Sequence, residues 1–220
     1  MKDSYQDFID RFGIDKQSFY QFGLQSIISA DVVTAEAQYQ QVKEKLLNNA
    51  KLVIRSYGGK GVHSNLYLDL YRYLFGNNNL GIDPTNNSAP RRNISAATGY
   101  RINKNLLNYQ VSHIWGKTKN PILFESVWNI CFVPRLYDPF TGHEASGGWN
   151  EEFIPLLNHF VFDKFEALIS DYNQFVVENN IQSRINTFVD TLLSNSRHST
   201  ELISRFRYDA LNEWSLLKRI

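Results

Sequence analysis

Two histidines and one asparagine stand at suggestive distances in the middle of the sequence. His113 lies in the apolar run 109–115, Asn129 follows sixteen residues later in the run 127–133, and His143 follows after a further fourteen. An imidazole that titrates near neutral pH suits general base catalysis and metal binding. Two strands joined by a loop and followed by a short helix would bring these three side chains to one side.

The charges around His113 indicate a polyanionic partner. Residues 84–124 contain no Asp or Glu but six cations, although the whole chain is nearly neutral, with 23 Lys plus Arg against 22 Asp plus Glu. Such a local positive field attracts a phosphodiester backbone independently of base sequence. The predicted nucleic-acid contacts are Arg91, Arg92, Arg101, Lys104, Lys117 and Lys119.

Acidic residues follow closely downstream, at Asp138, Glu144, Glu151 and Glu152. Cations that draw in a nucleic-acid backbone, beside carboxylate and imidazole groups that hold a divalent ion, are what metal-assisted phosphodiester cleavage requires. The segment of about sixty residues from 91 to 150 is therefore the predicted seat of the chemistry.

The same residues resemble the HNH nucleases of the ββα-metal (His-Me) finger superfamily. The matching text is Val-Ser-His-Ile at 111–114, Trp-Asn-Ile at 128–130 and Gly-His-Glu at 142–144. The resemblance implies that His113 is the general base and that Asn129 orients it or helps to bind the ion. It implies further that Asp138 and His143 hold one divalent cation, Mg²⁺ or a substitute such as Mn²⁺.

The resemblance implies a type II restriction-type endonuclease that cleaves double-stranded DNA, and cutting both strands favours a homodimer. Two departures from the family pattern matter. Ser112 stands where many members carry a metal ligand, so that Asn129 or Glu144 would have to replace it. Cysteine pairs are absent and Cys131 is alone, so we expect no structural zinc, and the flanking helices would have to brace the finger.

Hydrophobic periodicity predicts a predominantly helical α+β protein. Helical patterns fill residues 1–90 and 151–220, and they flank the ββα-like segment at 91–150. Residues 77–93, rich in Asn and Pro, are predicted to be a loop and a domain boundary. The sequence shows no secretory signal or membrane-spanning run, which predicts a cytoplasmic protein that does not bind membranes.

Two other interpretations remain open from the sequence. His113 could be a buried histidine that binds a backbone carbonyl, within a protein that binds nucleic acid without cleaving it. The aromatic-rich helices could instead form a module that binds a protein partner. Cleavage that depends on His113 would favour the nuclease, and binding to DNA that does not weaken with salt would favour the protein-interaction module.

Overall fold

A computed structural model describes residues 2–56, 62–141, 148–195 and 198–219 of the chain. The described part is α+β and mainly helical. Its α-helices are α1 Ser4–Phe12, α2 Lys16–Gln25, α3 Val32–Leu47, α4 Val62–Phe75, α5 Ser88–Thr98, α6 Pro121–Glu125, α7 Gly148–Glu178, α8 Ile181–Asn195 and α9 Thr200–Glu213. A short 3₁₀ helix covers Asp138–Thr141.

The strands form two small sheets. In the first, β1 (Ile28–Ser29) and β4 (Tyr109–His113) flank β5 (Ile130–Pro134), and both pairings are antiparallel. In the second, β2 (Leu52–Ile54) lies parallel to β3 (Leu80–Ile82). Parallel strands need a crossover connection, and α4 provides it here.

Short polar side chains begin the first three helices. The Asp3, Asp15 and Asp31 carboxylates each accept hydrogen bonds from backbone N–H groups in the first turn that follows. Such N-caps satisfy donors that have no partner within the helix, and each is worth about 1 kcal/mol. The helical prediction for residues 1–50 is confirmed by α1, α2 and α3.

One hydrophobic core extends through the described part of the chain. Fully buried side chains reach it from α3 (Tyr39), α4 (Leu70), β5 (Phe132), α7 (Phe153) and α9 (Phe206). The N-terminal, central and C-terminal regions therefore pack together, because each helix buries its apolar face against elements of the other regions.

The prediction of a loop over residues 77–93 is wrong at two places. Residues 80–82 form β3, and Ser88 begins α5, so that the proposed division between residues 90 and 91 falls inside a helix. Asp83 lies five residues before this helix, and its carboxylate accepts from the N–H groups of Thr85, Ser88 and Ala89, the last two of which are in the first turn of α5. Turn-forming residues here cap a helix as well as interrupt the chain.

The two strand predictions are confirmed, with the second strand shifted by about three residues. The run 109–115 forms β4, which ends at His113, and the run 127–133 forms β5, which begins at Ile130. The register pairs Ser112 with Cys131 and His113 with Ile130. Within the described residues, no helix is long and apolar enough to cross a membrane.

Candidate functional site

A polar cleft of about 450 Å³ opens beside β4. Ser112 and His113 line it from the end of the strand, and Asp138 lines it from the 3₁₀ helix. The remaining wall comes from the rest of β4, from α5 and from nearby loops. Its other lining residues are Arg55, Asn87, Arg91, Ile102, Asn103, Tyr109, Gln110, Val111, Thr118 and Arg135.

The His113 ring is held in place by the loop that connects β4 to β5. Its Nε2 lies 3.1 Å from the carbonyl oxygen of Phe124, and the two rings stack with centroids 5.2 Å apart and planes 10° apart. A carbonyl oxygen only accepts hydrogen bonds, so the neutral imidazole carries its proton on Nε2 and its lone pair on Nδ1. The ring is 8% exposed and its position is fixed.

Asn129 closes this loop with its side chain. Its Oδ1 accepts from the N–H of Trp115 at 3.1 Å, and its Nδ2 donates to the carbonyl oxygen of Leu123 at 2.9 Å. The side chain is fully buried and does not line the cleft. Because Leu123 directly precedes Phe124, Asn129 holds the backbone next to the carbonyl group that contacts His113. The direct orienting contact and the metal-ligand role predicted for it find no counterpart in these hydrogen bonds.

Asp138 is half-buried and lines the same cleft as His113, and its role as a metal ligand stays a prediction. His143 and Glu144 lie outside the described residues. In the part of the chain that the structure describes, no group of three or more His, Cys, Asp or Glu side chains is close enough to hold a metal ion.

Three arginines give the cleft its charge. Arg55, Arg91 and Arg135 are exposed and line the cleft, and within the described residues none of them takes part in an ion pair. Arg91 also donates to the carbonyl oxygen of Ile102 at 3.3 Å. Guanidinium groups bind phosphate oxygens in a bidentate manner, so this arrangement suits a phosphodiester.

The other predicted cations lie outside the cleft. Arg92 is exposed on α5, and Arg101 and Lys104 are exposed on the loop that follows. Lys117 donates to the carbonyl oxygen of Asn212 and to the hydroxyl of Ser215, both beyond the cleft. Lys119 lies with its Nζ 3.7 Å from Glu213. Of the six, only Arg91 lines the cleft.

Sequence reasoning missed Arg55 and Arg135. Arg135 lies two residues after the second strand run, and an antiparallel hairpin would place it next to Asn108, just before β4. Arg55 follows β2, and its backbone N–H donates to the carbonyl oxygen of Thr118 at 3.0 Å, a contact that no local pattern indicates.

This fold and site define an α+β protein with an arginine-lined cleft beside a buried histidine. The chain belongs to the family described as uncharacterised protein PM1201, whose model matches residues 30–219. It is 36% identical over 220 residues to the uncharacterized protein PM1201 of Pasteurella multocida strain Pm70, an alignment that covers all of this chain and 99% of that protein. No solved structure matches the chain.

Proposed function

We propose that this protein is a metal-dependent endonuclease that hydrolyses DNA phosphodiester bonds, of the HNH restriction type. The observation that supports the proposal is the joint position of His113 and Asp138 on one cleft with three arginines. A base, a carboxylate and guanidinium groups are the parts that hydrolysis of a phosphodiester requires. The positions of two predicted site residues also support the proposal, because His113 ends β4 and Asn129 immediately precedes β5.

In this proposal His113 removes a proton from the attacking water. The Phe124 carbonyl holds the Nε2 proton, so Nδ1 is the nitrogen that accepts the proton from water. Stacking on the Phe124 ring prevents the imidazole from rotating. Asn129 keeps the loop closed, so that the Phe124 carbonyl stays at the same place during the reaction.

Arg55, Arg91 and Arg135 bind the phosphate oxygens and draw the backbone into the cleft. Asp138 supplies one carboxylate ligand for a divalent ion, and the family resemblance assigns the second ligand to His143. A bound Mg²⁺ or Mn²⁺ would neutralise charge on the scissile phosphate and the leaving oxygen. The homodimer that double-strand cleavage favours stays a prediction, which sedimentation equilibrium tests.

The test is cleavage of plasmid DNA in Mg²⁺ by the His113→Ala variant. We expect cleavage to fall by at least about 100-fold, because general base catalysis contributes a factor of that size. Affinity for duplex DNA should change little. The melting temperature should fall, because the ring is buried and stacks on Phe124, so cleavage is measured well below the melting transition of the variant. His159→Ala, which removes a half-buried imidazole on α7, is the matched control and should cleave normally. Full cleavage by His113→Ala would refute the role of this histidine.

A second function is a protein that binds nucleic acid without cleaving it. The contact between His113 and the Phe124 carbonyl favours it, since a buried structural histidine makes the same bond. The cleft arginines alone would suffice to bind a backbone. DNA that stays intact in both Mg²⁺ and Mn²⁺, together with binding that weakens steeply as salt rises, would establish this function over the nuclease.

A further inference from the structure

The loop between α5 and β4, residues 99–108, contributes Ile102 and Asn103 to the cleft and carries an exposed leucine. Leu107 is 69% exposed, whereas the adjacent Leu106 is 6% exposed and packs into the core. Leaving a leucine side chain in water forgoes the stabilisation that its burial would give. An isolated exposed leucine is common on protein surfaces, so its meaning depends on what surrounds it.

The backbone of this loop is held by its own hydrogen bonds. The N–H of Asn103 donates to the carbonyl oxygen of Leu106 at 2.9 Å, and the N–H of Arg101 donates to Oδ1 of Asn105 at 2.6 Å. Beyond Leu107, the carbonyl oxygen of Asn108 accepts from the N–H of Arg135 at 2.8 Å. Leu107 is thus held outward between two anchored residues.

The surroundings of Leu107 are cationic and adjoin the cleft. Arg101 and Lys104 are exposed on the same loop, which lies within the acid-free stretch 84–124. Ile102 and Asn103 line the cleft that contains His113. A polyanion whose backbone lies in the cleft would therefore pass over this loop, and the cations beside Leu107 would attract it further.

We propose that Leu107 is a wedge that enters the base stack of duplex DNA when the backbone occupies the cleft. This inference rests on the proposed function, because it requires a nucleic-acid duplex as the partner. Proteins that kink DNA insert leucine or similar apolar side chains between base steps, and cations hold the backbone on either side. Tyr100 on the same loop is 41% exposed as well, and two isolated apolar side chains among cations are too small for a stable protein interface.

The experiment measures fluorescence of short duplexes that carry 2-aminopurine at successive positions, bound to full-length His113→Ala protein, which binds without cleaving. Unstacking of the base next to the wedge should raise the fluorescence severalfold at one or two neighbouring positions. Leu107→Ala in the same background should abolish the rise while affinity changes by no more than about tenfold, and Leu107→Met should restore it. Leu47→Ala, at a leucine 52% exposed at the end of α3, is the matched control and should keep the rise.

The outcomes separate the wedge from the nuclease. Duplex binding without a rise at any position, or a rise that Leu107→Ala retains, overturns the wedge and leaves the proposed function intact. Absence of duplex binding at low salt overturns both. Melting curves of the Leu107 variants should superimpose on that of the His113→Ala protein, since the side chain contributes little to the core; a large fall would instead assign Leu107 a packing role and overturn the wedge.

Discussion

The acid-free stretch 84–124 divides into two regions whose cations have different surroundings. On α5, Arg91 lines the open cleft, and the described residues place no ion-pair partner on it. After β4, Lys117 and Lys119 are bound to the end of α9 and the residues that follow it. Similar cations in one segment thus serve a cleft at one end and an internal contact at the other.

The second region is held by a buried carboxylate. Glu213 is 7% exposed, and its Oε2 accepts from the backbone N–H groups of Lys119 and Asn120 at 3.0 and 3.2 Å. Asn120 in turn caps α6, whose Phe124 carbonyl holds His113. The end of α9 therefore supports the loop that positions the candidate base.

A count of charges along the sequence finds the cations but not the groups that bind them. Glu213 lies 94 residues from Lys119 in sequence, and the fold alone brings them together. A lysine that is paired with a carboxylate has little positive charge left for a phosphate. An arginine that lines a cleft without an ion pair keeps its charge for a phosphate.

The largest effect is expected from Asn120→Ala. The fully buried Asn120 side chain accepts from the N–H groups of Ile122 and Leu123 and donates to the Tyr172 hydroxyl and the Glu213 carbonyl. Loss of the cap and of two buried contacts should lower the free energy of unfolding by about 2–4 kcal/mol. Urea denaturation measures it, with Asn186→Ala on α8 as the control at less than about 0.5 kcal/mol. A small effect at Asn120 would show that its contacts with Tyr172 and Glu213 do not stabilise the loop between β4 and β5.

The next effect concerns DNA affinity and tests the comparison directly. Replacing Arg55, Arg91 and Arg135 together by Gln should lower duplex affinity at low salt by about 10²–10³-fold and reduce the slope of log affinity against log salt by up to about three. Lys117→Gln and Lys119→Gln should leave that slope unchanged. Fluorescence anisotropy across a salt series measures both. If the lysines change the slope and the arginines do not, the assignment of the two regions is reversed.

The smallest effect is the pH dependence that Glu213 gives to the free energy of unfolding. Burial raises the pKa of Glu213 above its ordinary value of 4.5, although Lys119 and the backbone N–H donors act in the opposite direction. The folded chain therefore binds this proton more tightly than the unfolded chain. The free energy of unfolding should fall as pH rises from 4.5 through the raised pKa, by at most about 1.4 kcal/mol per pH unit for one group.

Glu213→Gln is neutral at every pH and should remove this part of the slope. Urea denaturation at several pH values tests it, with Glu201→Gln on the exposed first turn of α9 as the control that keeps the slope. Burial also raises the pKa of Glu125, which contributes a slope of the same sign. An unchanged profile in Glu213→Gln would contradict the raised pKa.

Periodic apolar spacing predicted the long helices well. Leu66, Leu70 and Leu74 recur every four residues and lie buried on α4, and Gly76 ends that helix with φ 67°, a conformation that glycine adopts without strain. The strand β3 escaped prediction, because three residues between turn formers carry too little pattern. It forms because β2 lies beside it and pairs with it in parallel register.

Part of the candidate site was within reach of the sequence. The short runs and their spacing placed His113 within a strand and Asp138 shortly after the next one, and the structure ends the first strand at His113. The sequence predicted a site role for Asn129. Its partners are backbone groups of Trp115 and Leu123, and these contacts depend on how the loop closes. Arg55 joins the cleft only because β2 packs beside the loop at Thr118.

By itself the sequence determined the helices of the N-terminal and C-terminal regions, where the cations are concentrated and where the two central strands lie, because these follow from local spacing and composition. The tertiary structure decided which cations remain available and which are bound, since this depends on groups distant in the chain, such as Glu213. It also decided that His113 faces the cleft with its Nε2 on a carbonyl, because only the closed loop brings Phe124 to the ring.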